Sequence, residues 1–343
     1  MKAVIFHAPG TISVEERPAP AIEAPGDAIV RVSLTAICGH DVLAYRGQRR
    51  REPGSIGHES VGTVSAVGEG VGRLAVGQRV VSPASVSCGG CFYCKQGLLT
   101  ACERLRFFGH DLPGAQAELV RVPNADAGLE PLPADLEDEK AIFLADTLSG
   151  AYAGLQMADL KAGESVAVLG CGPTGLCAQL VARSMGAGQV FAIDRHAYRL
   201  AVAAKAGMVA LDLDNADVAA AIAAATGGRG VDLAVEAVGS AAVLGQAAAL
   251  VRPWGRLLSL GHGIKAEAGF PIGRLTARHV RLIPASFPPT KNYMAPLAKM
   301  LARGVIDPGP VASHVLPLME AARGYELMAN HADGALKVLL RPA

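Results

Sequence analysis

The run Gly170-Cys171-Gly172-Pro173-Thr174-Gly175 limits what this 343-residue chain can fold into more than any other stretch. It follows the apolar run SVAVLG (165–170) and opens CGPTGLCAQLVARSMGA, in which Leu176, Leu180 and Val181 recur at helical spacing. QVFAID (189–194) reads as the next strand, so G-x-G-x-x-G sits inside a βαβ unit of the right length. One glycine makes the tight turn, one lets the backbone approach a pyrophosphate, and one lets helix and strand pack closely. The helix N-terminus offers N–H groups and the positive end of its dipole to phosphates. Asp194 ends the second strand, where a carboxylate accepts hydrogen bonds from ribose hydroxyls and repels a 2′-phosphate. The expected cofactor is therefore NAD rather than NADP, with Arg195 beside Asp194 softening the preference. A purely structural glycine turn is the alternative, disfavoured by the complete strand–turn–helix context.

The alternation continues. YRLAVAAKAGM reads as a second helix, and VDLAVEAVG (231–239), GRLLSLG (255–261) and RLIPASF (281–287) as later strands. Alternating strands and helices predict a parallel sheet covered on both faces. The first third differs: AIVRVSL, VGTVSAVG and QRVVSP are short, rich in Val and separated by turn residues, which predicts a compact β-rich domain. Met1–Gly10 reads as its first strand and lacks the features of a secretory signal. After about residue 287 the rhythm is lost, and the tail is expected to return to the first domain. The expected fold is α/β, with a doubly wound parallel-sheet (Rossmann) coenzyme domain at 149–287 and a β-rich domain at 1–148 and 288–343. Trp254, between Pro253 and Gly255, is expected to pack at a helix-to-strand turn.

Cys88, Cys91, Cys94 and Cys102 form C-x2-C-x2-C-x7-C, which predicts a closed lobe at 88–102 around one metal ion. Four thiolates leave no open position, so this zinc would be structural. Thiolates also hold iron in iron–sulfur clusters, and two disulfides would need an oxidising compartment. Zinc in a reducing cytoplasm is the reading that suits seven cysteines, an odd number.

Composition narrows the function classes. Apolar residues make up 51% and charged ones 18%, the balance of a folded chain. Lys plus Arg total 32 against 31 Asp plus Glu, which gives no electrostatic case for nucleic acid or an anionic membrane as partner. No apolar run approaches the roughly 18 residues of a membrane span. Arg49-Arg50-Arg51 is the one basic run, read as a solvated loop.

Three further segments carry metal-capable residues: Ile37-Cys38-Gly39-His40-Asp41, Gly57-His58-Glu59-Ser60 and Ala145-Asp146-Thr147. Spacing alone makes them only suggestive, since a lone Cys or His is usually packing and an Asp before a helix usually a cap. Their order decides. Cys38 with Asp41, then Gly57-His58-Glu59 with Gly62, then the Cys88–Cys102 lobe, then Gly170–Asp194, resembles the zinc-containing medium-chain alcohol dehydrogenases over essentially the whole chain.

That resemblance implies a GroES-like first domain and two zinc ions, one structural and one catalytic. It implies Cys38, His58 and Asp146 as catalytic-zinc ligands and Glu59 as a carboxylate that ligates or swings away. Asp41 would orient the ligand histidine. Gly170, Gly172, Pro173, Thr174, Gly175, Asp194 and Arg195 would meet the coenzyme, with Arg199 and Lys337 at its phosphates. The implied activity is hydride transfer between a primary or secondary alcohol, or a polyol, and NAD. An aldehyde dismutase or aldehyde dehydrogenase-type enzyme with tightly held NAD is the alternative. The expected form is a homodimer or homotetramer.

Many family members have Ser or Thr where this chain has His40, so the imidazole is a candidate first proton acceptor, or else only shapes the pocket. Ala84, Phe107, Leu148 and Ser149 are expected to border the substrate. His110, His196 and His262 are expected on the surface or in loops.

Overall fold

The computed structural model describes residues 1–264, 269–270 and 272–343. The chain divides into two compact units, Met1–Ser149 with Pro289–Ala343, and Gly150–Pro288, each boundary one residue from the expected one.

The second unit is a six-stranded, all-parallel sheet. In chain order its strands are Ser165–Leu169, Gln189–Asp194, Val209–Asp212, Val231–Glu236, Val251–Ser259 and Arg281–Pro284. Their spatial order is 3-2-1-4-5-6, the doubly wound arrangement with its switch point beside the first strand. Helices Pro173–Ser184, Ala197–Lys205, Val218–Ala225 and Ala241–Leu250 connect them. Val166, Ala167, Val168, Leu233 and Ala234 have no exposed surface, as strands covered on both faces require.

Two strand ends differ from expectation for visible reasons. The fourth strand stops at Glu236 because Glu236 Oε1 accepts the N–H groups of Val238, Gly239 and Ser240 and turns the chain. The fifth starts at Val251, before Trp254, and its register with the fourth shifts between Val231 and Leu233. Trp254 lies in the resulting bulge, left-handed at φ 60° and 72% exposed, with its ring stacked on His279 at 4.6 Å. The expectation that Trp254 packs inside a turn is therefore corrected: the bulge carries its side chain outward.

The first unit is built on a seven-stranded mixed sheet. Its central strand, Ala28–Ala36, pairs antiparallel with Ser60–Val67, with Leu119–Val122 and with the C-terminal strand Lys337–Arg341. Val30, Val32, Val64, Val80 and Val120 fill one core, and Val4, Phe6, Ile37, Ile56 and Tyr325 another. The pairing sets the site. Thr35 faces Ser60, Leu339 faces Ala36, and Ile37 N–H donates to Val338 O at 2.9 Å. Segments ending at Cys38, starting at His58 and starting at Lys337 therefore arrive together.

Gly175 shows how tightly the coenzyme turn is closed. A Cβ there would lie 1.8 Å from Gly170 O, closer than any real contact. Gly175→Ala is expected to destabilise the protein by about 1–3 kcal/mol or more, through overpacking against backbone. A urea titration checks this: an unshifted midpoint would contradict the packing described.

Candidate active site

The four-cysteine lobe closes as its spacing predicts. Cys91 Sγ lies 3.5 Å from Cys94 Sγ and 3.9 Å from Cys102 Sγ, and Cys88 Sγ lies 3.9 Å from Cys94 Sγ. Metal–sulfur bonds of about 2.3 Å put tetrahedral sulfurs about 3.8 Å apart, so the thiols already outline a zinc tetrahedron. The Cys88 and Arg104 N–H groups donate to Cys102 Sγ at 3.2 and 3.3 Å, which fixes that ligand's direction. N–H donation from Gly90, then Cys91, pulls the Cys88 thiol down to about 6, while burial pushes Cys94 up to about 11.

A second cluster gathers Cys38, His58, Glu59 and Asp146, whose ligand atoms lie within 4.8 Å of one another. Cys38 precedes the short helix Gly39–Tyr45, His58 and Glu59 precede the strand Ser60–Val67, and Asp146 precedes the helix Thr147–Met157. Asp146 Oδ2 is 3.6 Å from both Cys38 Sγ and His58 Nε2. One thiolate, one imidazole and one carboxylate around zinc, with bonds of about 2.0–2.3 Å, stand about 3.3–3.5 Å apart, close to what is seen. On the other side of the imidazole, Asp41 Oδ1 lies 3.6 Å from His58 Nδ1, and Asp41 Oδ2 accepts the Cys38 N–H at 3.3 Å. Asp41 thus sets both the turn carrying Cys38 and the face His58 presents. Burial opposes charge on His58, but Asp41 and then Cys38 outweigh it and raise its pKa well above the ordinary value.

Gly57 makes the His58 position attainable. Its φ is +93°, and a Cβ would meet Gln116 Cγ at 2.3 Å. Gln116 crosses here to donate to Ala36 O at 3.0 Å and accept from the Tyr325 hydroxyl at 2.9 Å.

Glu59 is completely buried, and Lys337 nearly so. Lys337 Nζ donates to Glu59 Oε1 at 2.6 Å and to Thr147 Oγ1 at 3.2 Å. The expected phosphate role of Lys337 is thereby corrected: strand pairing delivers it beside Cys38, and a buried ammonium needs a carboxylate. Burial raises the Glu59 carboxyl while Lys337 opposes the rise. Glu59 Oε2 is buried without a hydrogen-bond partner among the described residues, the kind of orphaned acceptor a cation would satisfy. Donor types, separations and this orphaned oxygen all fit zinc.

The His40 ring lies 5.8 Å from the His58 ring and 5.7 Å from that of His110. His110 is exposed, as expected, yet it belongs to the surroundings of this cluster. Ala84, Leu148 and Ser149 are buried in the first unit, and Phe107 is half-buried in the short strand Arg106–Phe107. Arg51 is not the solvated loop residue expected. It is half-buried, and its Nη2 donates to Ser55 O at 2.8 Å and to Gly109 O.

In the second unit, Gly172 precedes the helix begun by Pro173, Thr174 and Gly175. Asp194 accepts the Cys171 N–H on Oδ2 at 2.7 Å, and the N–H groups of Arg195 and His196 on Oδ1. Arg199 Nη1 lies 3.8 Å from Asp194 Oδ2, so carboxylate and guanidinium flank the turn; the Arg195 side chain is exposed. His262 is exposed and His196 half-buried at the start of its helix.

A GroES-like unit with a mixed-donor zinc centre and a Rossmann unit define a zinc-dependent oxidoreductase acting on alcohols. Comparison with known proteins agrees. Residues 24–134 match the alcohol dehydrogenase GroES-like domain, and residues 173–303 match the zinc-binding dehydrogenase family. An alcohol dehydrogenase of Cupriavidus necator is 34% identical over 363 aligned positions, covering 100% of this chain and 99% of that protein. A solved alcohol dehydrogenase from Thermus sp. ATN1 superposes with a TM-score of 0.95 at 40% identity, covering 100% of both chains. A zinc-binding dehydrogenase of Sinorhizobium meliloti, solved bound to NADP, gives 0.88 at 30% identity, covering 99% of each chain. The chain belongs to the zinc-containing medium-chain alcohol dehydrogenase family. Among the described residues no helix is long and apolar enough to cross a membrane.

Lys337→Met strands the buried Glu59 carboxylate and is expected to cost about 3–5 kcal/mol of stability. Adding Glu59→Gln should recover part of that loss. Urea unfolding of the single and double variants measures both, and a neutral Lys337→Met would contradict the pairing.

Proposed function

We propose that this protein interconverts a small alcohol and its aldehyde or ketone with NAD, at a zinc ion held by Cys38, His58 and Asp146. A second zinc ion holds the Cys88–Cys102 lobe. The observation that carries this reading is the convergence of one thiol, one imidazole and two carboxylates within 4.8 Å, one of those carboxylates, Glu59, being paired with Lys337. When bound, zinc supplies Lewis acidity to the alcohol or carbonyl oxygen, and the nicotinamide carries the hydride.

The residues of the chain do the rest. Three ligands leave a fourth position for substrate. A thiolate and a carboxylate balance the two positive charges of the ion, and Lys337 balances Glu59. With Lys337 on Oε1, the Glu59 carboxylate would keep its charge compensated whether or not its unpartnered Oε2 met the ion. Asp41 keeps His58 oriented. His40, beside His58, is positioned to take the alcohol proton. Asp194, Arg195 and Arg199 with the glycine turn would seat the coenzyme. A carboxylate at Asp194 argues for NAD here, although the Sinorhizobium relative was solved with NADP. The seven reduced thiols suit a cytoplasmic enzyme, and the expected assembly is a homodimer or homotetramer. Nothing in the relatives favours the dismutase alternative, which would show as coenzyme absorbance in the purified protein.

Mass spectrometry of the native protein is expected to find close to two zinc ions per chain. A panel of alcohols should produce NADH absorbance, with NAD preferred over NADP. One zinc ion, or no nicotinamide-linked turnover with any alcohol or aldehyde, would overturn the proposal. His40→Ala is expected to lower kcat by about 10²–10⁴-fold, the usual contribution of a positioned acid–base group, and to reshape the acid limb of the pH–rate profile. An unchanged rate and limb would remove His40 from proton transfer.

A further inference from the structure

We propose that the alcohol taken by this site carries an anionic group, a carboxylate or a phosphate, and that Arg51 binds it. The proposal rests on the zinc centre being the place of hydride chemistry, and it names the substrate class of that centre.

Arg51 is held in place by backbone carbonyls and feels the charge of Asp41, but no carboxylate contacts it as an ion pair among the described residues. Its Nη2 is spent on Ser55 O and Gly109 O, and its guanidinium lies over the Phe6 ring at 5.9 Å. Among the described residues Nη1 has one partner, His110 Nε2 at 3.5 Å, and the Nε–H is buried with no hydrogen-bond partner. Among the described residues no carboxylate forms an ion pair with Arg51 or Arg49, whereas Arg50 pairs with Glu52. Arg79, Arg121, Arg252 and Arg256 each face a carboxylate, whereas the half-buried Arg106 and Arg278 form no ion pair among the described residues, Arg278 giving its Nη2 to Val251 O. A desolvated cation without an anion is costly unless a ligand supplies one.

Its location makes that ligand the substrate. From the zinc ligand His58, ring contacts run to His40 and then to His110, against which Arg51 lies. Asp41, whose charge acts on Arg51, is itself engaged by His58 and by the Cys38 N–H. Burial, then Arg51 and Arg49, hold the His110 imidazole below its ordinary pKa, with Asp41 opposing them. A small hydroxy acid or polyol phosphate would place its hydroxyl at the metal and its anion at the two Arg51 donors still available, Nε–H and Nη1–H. Guanidinium geometry suits both carboxylate and phosphate.

Matched substrates test this: 3-hydroxybutyrate against 2-butanol for the carboxylate, and glycerol 1-phosphate against glycerol for the phosphate. In the zinc-loaded enzyme, kcat/KM for at least one anionic member should exceed that of its neutral partner by about tenfold or more. That advantage should shrink as salt is raised. Arg51→Met should cut the anionic-to-neutral ratio at least about tenfold, and Arg51→Lys should cut it less. Neutral partners turned over equally well in both pairs, an advantage indifferent to salt, or Arg51→Met lowering both members alike with a fall in unfolding midpoint would overturn the proposal and leave Arg51 a brace for its loop. Should no alcohol of either kind turn over, the dehydrogenase reading fails on its own. Calorimetry with isobutyrate and inorganic phosphate then decides the anion site: binding lost in Arg51→Met supports it, and absent or unchanged binding overturns it.

Discussion

Lys337 and Glu59 lie 278 residues apart in sequence and 2.6 Å apart in space, both inside the protein. A pair so deeply buried gains little net stability, because desolvation of two charges offsets their attraction. It does forbid alternatives, since any arrangement separating the partners leaves a bare charge in an apolar core. The C-terminal strand must therefore close on the central strand of the first unit, and that closure completes the wall behind the zinc ligands. The first unit is discontinuous: its C-terminal strand returns after the whole coenzyme unit to pair with its central strand.

The two metal clusters divide the work. The cysteine lobe is local: four thiols within fifteen residues, set on a turn whose N–H groups already point at sulfur. The mixed-donor cluster is long-range. Its ligands come from three segments, joined by strand pairing at Thr35–Ser60 and Ala36–Leu339 and by the crossing of Gln116 under Gly57. A local site can be rigid and closed. A site assembled from distant segments can keep a position open and a neighbouring carboxylate poised, as substrate exchange demands.

Legibility in the sequence follows the same division. The cysteine lobe and the glycine turn could be read directly, because their ligands and turns lie within one short stretch. Cys38, His58 and Asp146 needed the resemblance, since nothing in periodicity joins residues so far apart. The resemblance implies coenzyme phosphates for Lys337, and its actual partner, Glu59, is invisible in the sequence until strand pairing is known. Arg51 read as solvent-facing because three successive arginines usually are; the turn at Ser55 and Gly109 draws only the third one in. Trp254 reads as a turn residue because proline and glycine flank it, whereas here they form a bulge inside a strand.

The central claim is that this chain holds two zinc ions of different chemistry, one all-thiolate and one with mixed donors and an open position. X-ray absorption at the zinc edge of the native protein tests it most directly. On this proposal Cys38 and the four lobe cysteines would supply the sulfur, and His58, Asp146 and one exchangeable oxygen the remainder. The average shell should therefore hold about 2.5 sulfur and about 1.5 nitrogen or oxygen atoms per zinc, at bond lengths of about 2.3 and 2.0–2.1 Å. A shell of four sulfurs per zinc would mean that only the lobe binds metal, and would contradict the account.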